Sequence, residues 1–305
     1  MNTAVPAQLG LGQILADFVV LLKPRIASFV GLAAFVGGLL GADAGVSLLH
    51  IGEAALWITL AAGAASAFNQ ILERKTDVLM ERTRGRPLPS GRVSVREALV
   101  FAGVLTAVST AALWLRFNAL GACLSLATIV AYVLVYTPLK RMSTFNTVVG
   151  ALPGAAPPLI GYAALAGRID PWAWVLFAIL FVWQFPHFMA IAWIYRQDYS
   201  RAGMRMLPSA IGGERAAGQA AILYGLVLLP VSMVPALFGG AGVVFCAGTL
   251  VVGMIYCAAS LLFAFKPQRA TARTLLLVSL AYLPIVLALV VFDPATGVMA
   301  AHFTR

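Results

Sequence analysis

The chain has 305 residues, 61% of them hydrophobic and only 10% charged, with 21 basic against 11 acidic side chains and a formal net charge of +10. Soluble domains carry about 25% charged residues, and mean hydropathy here is +0.93. Together these values exclude an ordinary soluble domain and read as an all-α integral membrane protein.

The N-terminal segment, residues 1–22, lacks the basic-then-apolar order of a cleavable signal and the Arg/Ser richness of a transit peptide. The first span is therefore expected to stay as an anchor, as in a bacterial inner membrane. Runs of about 20 apolar residues, enough to cross about 30 Å of hydrocarbon, fall at 26–42, 50–72, 97–115, 119–137, 147–166, 172–195, 217–238, 242–264 and 272–291. The fifth, "NTVVGALPGAAPPLIGYAALAG", carries three prolines and several glycines. Such breakers survive where neighbouring helices re-satisfy the backbone, so this span is expected inside the bundle.

Nine spans place 18 of the 21 basic residues on one side and leave only Arg116, Arg168 and Arg305 on the other. The positive-inside rule assigns the basic side, and hence the N-terminus, to the cytoplasm and the C-terminus to the periplasm. The basic excess is thus a record of topology and gives no reason to expect nucleic acid. Cys123, Cys246 and Cys257 all fall within spans and suggest no disulfide framework. The two long polar loops, 73–96 and 196–216, are both cytoplasmic and are expected to cap a single transmembrane domain covering 1–305. Function is expected to concentrate there.

At the end of the second span the chain reads "FNQILERKTDVLMERTRGRPLP". Asn69, Glu73 and Asp77 are spaced i, i+4, i+8 and share one helical face. A row of hard oxygen donors without His or Cys suits Mg²⁺, which bridges carboxylates to substrate phosphates. Arg82, Arg84 and Arg86 offer planar forks for phosphate oxygens. The alternative is a solvated ladder in which the acids only balance neighbouring bases. Asn69 favours the site, because it lies deeper than the charges and has no need to be polar there.

Elsewhere the same choice recurs between topology and chemistry. Lys23 and Arg25 in "LLKPRI" are either positive-inside anchors or anion binders. Lys140 and Arg141 in "YTPLKRMSTFN" fit topology, but Tyr136 and Asn146 beside them suggest a polar wall. After the sixth span, "FVWQFPHFMAIAWIYRQDYSRAGMRMLP", Asp198 is either a second half of the site or a partner for Arg196 or Arg201, with Tyr195 adjacent. His187 is either a hydrogen-bonded core residue or a cofactor contact. On a continuous helix it lies eleven residues before Asp198, about 16 Å deeper.

These blocks, with "NQILERKTDVLMERTRGRPLPSG" and "TFNTVVGALPGAAPPLIGY", resemble the haem-farnesylating branch of the UbiA-type superfamily of intramembrane prenyltransferases, over residues 23 to about 290. The resemblance implies nine transmembrane helices around a central cavity with the active site at its cytoplasmic mouth. It also implies Mg²⁺-dependent transfer of farnesyl from farnesyl diphosphate to haem B, giving haem O, and haem A synthase or oxidase-assembly proteins as partners. Asn69, Glu73 and Asp77 fill the superfamily's NxxxDxxxD pattern, with Glu at the first acidic position. Around Asp198 a full DxxxD is missing, which puts a second metal in doubt. The resemblance assigns the diphosphate to Arg82, Arg86, Lys140, Arg141, Lys23 and Arg25. It assigns the haem pocket to His187, Tyr136, Asn146, Tyr195 and Arg196. Two other readings remain at this point. Prenylation of another aromatic acceptor is disfavoured by "WQFPHF" and the reduced second motif. A transporter of an anionic solute is disfavoured by the odd number of spans and an outer face without polar pathway residues.

Overall fold

A computed structural model of the chain describes residues 10–209 and 212–303. Residues 1–9 of the N-terminal segment, 210–211 of the second cap loop, and Arg305 from the outer charge count lie outside the described residues.

The chain enters through α1 (Leu11–Leu21), which at about 16 Å is too short to cross a bilayer. It was not expected from hydropathy. Leu11, Ile14, Leu15, Val19 and Val20 are exposed along it, while Asp17 and Leu21 are buried. Asp17 meets the guanidinium of Arg92 through Nε at 3.0 Å and Nη2 at 3.0 Å. That fork fixes the amphipathic helix against the first cap loop. Lys23 follows in the left-handed region, φ 51°, the only described residue other than glycine with positive φ. Pro24 then opens α2 (Pro24–Gly41) at the first helical position.

The second span, α3 (Leu48–Asp77), has 30 residues and runs about 45 Å, well beyond a hydrocarbon core. It extends five residues past the hydropathy boundary at 72, so the first cap loop begins after Asp77 rather than at 73. The extension survives because Glu73 and Asp77 are themselves buried. A capping box between Ser94 and Glu97 starts α4 (Val95–Arg116). The fourth span is composite: α5 (Ala119–Val130) passes into a π-helical segment, Ala131–Tyr136, and ends as α6 (Thr137–Leu139). Next come α7 (Asn146–Ala166), α8 (Pro171–Ile194), the short α9 (Arg196–Arg201), α10 (Gly213–Leu237), α11 (Val243–Phe265), α12 (Arg269–Phe292) and α13 (Val298–His302). Among the described residues, nine helices are long and apolar enough to cross a membrane, as the hydropathy pattern requires.

Sequential helices pack side by side, and α2 also packs extensively on α7. Glycines allow that approach. A methyl group at Gly37 would collide with the Pro158 carbonyl oxygen, and one at Gly161 with that of Ala34. This close packing without side chains is how membrane helices associate when lipid removes the hydrophobic drive. The proline-rich α7 is the most enclosed span, 72% buried, against 22% for α4 on the periphery. Its prolines therefore sit where the bundle can accommodate them, as expected. By contrast α12 meets α2 over only a short stretch, so the ring has one thin seam.

Candidate active site

The acidic ladder of α3 points inward. Asn69 is 1% exposed, Glu73 7% and Asp77 0%, which rules out a merely solvated helix end. Each of the three is held by a different basic residue. Asn69 Oδ1 accepts from Lys23 Nζ at 3.2 Å. Glu73 Oε1 accepts from Lys140 Nζ at 2.8 Å. Asp77 Oδ2 accepts from Arg86 Nη1 at 2.8 Å. These partners come from the α1–α2 junction, the loop after α6, and the first cap loop. Three separate parts of the chain thus converge on one helical face.

Local structure explains how each base is delivered. The left-handed backbone at Lys23 costs about 1–3 kcal/mol and persists only where its surroundings impose it. Here Gln70, next to Asn69, donates to the Leu21 carbonyl oxygen at 2.9 Å and clamps the chain just before that turn. Burial, then the nearby charges of Arg86 and Lys140, pull the Lys23 ammonium down to about 7. The π-helical segment shifts the end of the fourth span so that Thr137 faces α3. Its hydroxyl donates to the Tyr132 carbonyl oxygen at 2.8 Å and accepts from Asn69 Nδ2 at 3.1 Å. Single π turns inside helices commonly mark functional sites. Lys140 lies over the Tyr136 ring, 4.6 Å from its centroid. In the cap loop, Thr83 donates to the Asp77 carbonyl oxygen at 2.9 Å and closes the end of α3 above the ladder.

Among the described residues no group of three His, Cys, Asp or Glu side chains gathers, so a metal here would have two carboxylates and an amide. Asp77 Oδ1 is buried without a hydrogen-bond partner among the described residues. An orphaned carboxylate oxygen inside a bundle is costly unless something is meant to meet it. All-oxygen donors with few protein ligands match Mg²⁺, which keeps several waters and shares itself with phosphate oxygens. The donor set fits the ion.

Beside Lys23, which forms part of its wall, lies an apolar cavity of about 140 Å³ among α2, α3, α5 and α7, lined by Ile26, Val30, Ile58, Ala65, Ile129 and Pro157. The charged cluster and the greasy chamber therefore share Lys23 as a common wall.

The structure does not bring every expected residue here. Arg25 is exposed, and its side chain joins no partner among the described residues. Arg82 turns to the second cap, stacking on Tyr195 at 4.7 Å and donating to Tyr199 Oη at 3.4 Å. Among the described residues Arg141 reaches only Thr76 Oγ1, at 3.4 Å. Asp198 sits on α9 and meets Arg201 at 3.6 Å, the local pairing that the sequence left open. Arg196 pairs with Glu214 at 3.1 Å and stacks on Trp193, so it ties α9 to α10. Asn146 is fully buried and donates to the carbonyl oxygens of Ser143 and Arg205, joining the loop after α6 to the second cap, while its Oδ1 has no partner among the described residues.

His187 is half-buried on α8, its ring stacked on Trp183 with centroids 5.0 Å apart. Its depth is less than a continuous helix would give. The sixth span stops at Ile194 and α9 is a separate helix, so His187 lies seven residues, about 10 Å, from the helix end.

Sequence reasoning missed Thr137, Gln70 and the Asp17–Arg92 fork. Asp17 had a readable signal, as the sole acidic residue before Asp43. Thr137 had none, since a π turn leaves no hydropathy trace.

With this geometry in view, the comparisons with known proteins are specific. The model of the UbiA prenyltransferase family matches residues 30–283. A protohaem IX farnesyltransferase of Solibacter usitatus is 40% identical over 286 residues, covering 91% of this chain and 98% of that protein. One from Koribacter versatilis is 37% identical over 300 residues, covering 95% and 96%. Among solved structures, a digeranylgeranylglyceryl phosphate synthase superposes with a TM-score of 0.75 at 16% identity, covering 92% of this chain and 98% of that one. A UbiA homologue from Archaeoglobus fulgidus bound to DMAPP and Mg²⁺ superposes with a TM-score of 0.64 at 18% identity, covering 90% and 99%. At those identities the structures establish the fold, and the full-length relatives establish the lineage. The chain belongs to the UbiA prenyltransferase family and is a multi-pass membrane prenyltransferase of its haem-farnesylating branch.

Proposed function

We propose that this chain transfers the farnesyl group of farnesyl diphosphate to a vinyl group of haem B with addition of water, giving haem O and diphosphate, at the cytoplasmic face of a bacterial inner membrane. The observation that carries this reading is the interleaving of Asn69, Glu73 and Asp77 with Lys23, Lys140 and Arg86 beside an apolar cavity. Such a site suits a substrate with an anionic head and a greasy tail. The haem acceptor is supported by relatives that share 37–40% identity over nearly their whole length and carry the name protohaem IX farnesyltransferase.

In the proposed reaction the allylic C1–O bond breaks with its electron pair leaving on the diphosphate. A haem vinyl carbon bonds to farnesyl C1, and water adds to the resulting porphyrin-side cation and releases a proton. Bound at Asn69, Glu73 and Asp77, Mg²⁺ supplies Lewis-acid stabilisation of the departing phosphate charge. Lys23, Lys140 and Arg86 neutralise the remaining anionic oxygens, and preorganised charge of this kind in a dry site lowers the barrier most. Arg82 and Arg141 stand at the rim, where they can guide the head inward, and Arg25 serves topology. The chamber beside Lys23 takes the farnesyl chain and keeps water from the cation. His187, with Trp183 stacked on it, belongs to the haem side. The product then passes to haem A synthase or oxidase-assembly proteins.

The test is direct. Membranes containing the chain, supplied with haem B, farnesyl diphosphate and Mg²⁺, should form haem O, identified by the mass of the extracted haems. Unchanged haem B, with prenylation of a simple aromatic acid instead, would reject the acceptor.

A further inference from the structure

The hydrogen bonds around His187 determine which of its ring nitrogens carries the proton. Ser279 on α12 makes two short contacts, with Tyr256 Oη as a further neighbour. Its Oγ is 2.6 Å from the Leu276 carbonyl oxygen and 2.7 Å from His187 Nδ1. Two oxygens 2.6 Å apart need a proton between them, and a carbonyl has none to give. The single serine proton is therefore committed to Leu276. The short contact to His187 then requires the proton on Nδ1, with Ser279 Oγ accepting. A neutral imidazole with Nδ1–H has a bare lone pair on Nε2. Among the described residues that nitrogen makes no hydrogen bond, and the ring is only half-buried.

The rest of the contact keeps the ring in place. Trp183, one turn before His187, donates through Nε1 to the Ser279 backbone carbonyl oxygen at 2.8 Å and stacks on the imidazole at an interplanar angle of 24°. Tyr256 Oη in turn donates to the Trp183 carbonyl oxygen at 2.9 Å. One serine thus receives α8 twice, through its backbone and through its side chain. Histidines that ligate metals usually donate their other ring nitrogen to an oxygen in this way, which fixes tautomer and orientation and raises ligand basicity.

We infer that Ser279 is a positioning residue that holds His187 as the Nδ1–H tautomer, so that Nε2 serves as an axial ligand to the iron of the haem acceptor. This rests on the proposed haem reading and deepens it: the acceptor is gripped at its metal, and Ser279 acts through His187 without touching substrate.

Ferric haem B titrated into the detergent-purified full chain tests this by optical and EPR spectra. The wild type should bind haem with nitrogen ligation, and His187→Ala should lose that signature. Ser279→Ala should weaken haem binding roughly 10- to 100-fold, the usual cost of removing an outer partner of a metal-ligating histidine, and shift the spectrum. Ser279→Cys, which fills the same space with a poor acceptor, should behave like Ser279→Ala and so separate the lost hydrogen bond from lost volume. Wild-type affinity and spectrum in either Ser279 variant, with the signature still lost in His187→Ala, would overturn the role of Ser279 while leaving haem as the acceptor. An unchanged spectrum in His187→Ala would overturn iron ligation altogether.

Discussion

Asn69, Glu73 and Asp77 do different work within one face of α3, and substitutions should separate them. Asp77 has one oxygen on Arg86 and one orphaned, and Asn69 bridges Lys23 and Thr137. Asn69→Ala and Asp77→Ala should leave the chain in the membrane but lower haem O formation roughly 100-fold or more, the scale for removing a preorganised polar group. Near-normal turnover of both at saturating Mg²⁺ would remove the metal ladder. Glu73→Asp keeps the charge and should retain measurable turnover. Glu73→Gln should lose far more, and its activity should be less responsive to added Mg²⁺, since charge rather than hydrogen bonding holds a hard cation. Equal activity of the two, measured across a Mg²⁺ titration, would show that no metal depends on Glu73. At this scale the sequence was informative where spacing alone sets geometry. A four-residue period must put three side chains on one face, and burial followed from their place at the end of an apolar helix. It was uninformative for Arg25, Arg82, Arg196 and Asp198. Their long side chains select partners from loops whose paths hydropathy does not record.

Elements were legible in proportion to their length and monotony. Nine spans followed from apolar runs, with ends off by at most five residues, because desolvating a charge is too costly to misplace a boundary far. The exceptions are short or irregular: α1, the π turn and the break between α8 and α9. Each depends on a tertiary partner. The fork from Arg92 to Asp17 secures α1, and Arg92 is 33% exposed against 2% for Asp17. Arg92→Ala strands a buried carboxylate and should cost about 3 kcal/mol, the lower end for such a loss because the pair is partly solvated. The measurable result is a lower melting temperature in detergent and easier proteolysis at the N-terminus. Unaltered melting would mean that α1 docks without the pair. Where α2 crosses α7, Gly37→Val should cost about 2 kcal/mol through overpacking, and Gly161→Val should behave alike. Gly103, where a Cβ would meet nothing within 4 Å, is the control for the same substitution, read by the same thermal melts.

For the whole molecule, the charge distribution predicts an orientation, basic loops in the cytoplasm, that reporters can test. An enzyme reporter active only outside the cytoplasm should be active when fused after Gly167, in the turn between α7 and α8, and silent when fused after Gly203, beyond α9. The opposite pattern would invert the topology and move the site to the wrong face for cytoplasmic diphosphates. The global plan, nine apolar helices among the described residues with the long polar loops gathered at one end, was legible because lipid allows few solutions. The thin seam between α2 and α12 was not, since helix-to-helix contact depends on side-chain shape.

The pairing of each ladder residue with a base carries a consequence for the order in which ligands can settle. A cation arriving alone can take the orphaned Asp77 Oδ1 but must compete with Lys140 for Glu73, crowding two positive charges beside Arg86. An anion arriving alone must draw those bases away and leave the carboxylates facing each other. Arriving together, each relieves the cost of the other, so their affinities are thermodynamically linked and the coupling is reciprocal. Calorimetry on the purified chain should therefore find weak binding of Mg²⁺ alone and of farnesyl diphosphate alone, and affinity for each raised roughly 10- to 100-fold by the other, within the range of typical site coupling. Independent binding would mean that the pairs persist in the loaded site. If the linkage holds, the empty enzyme ignores free magnesium and free lipid phosphates alike and responds only to their complex.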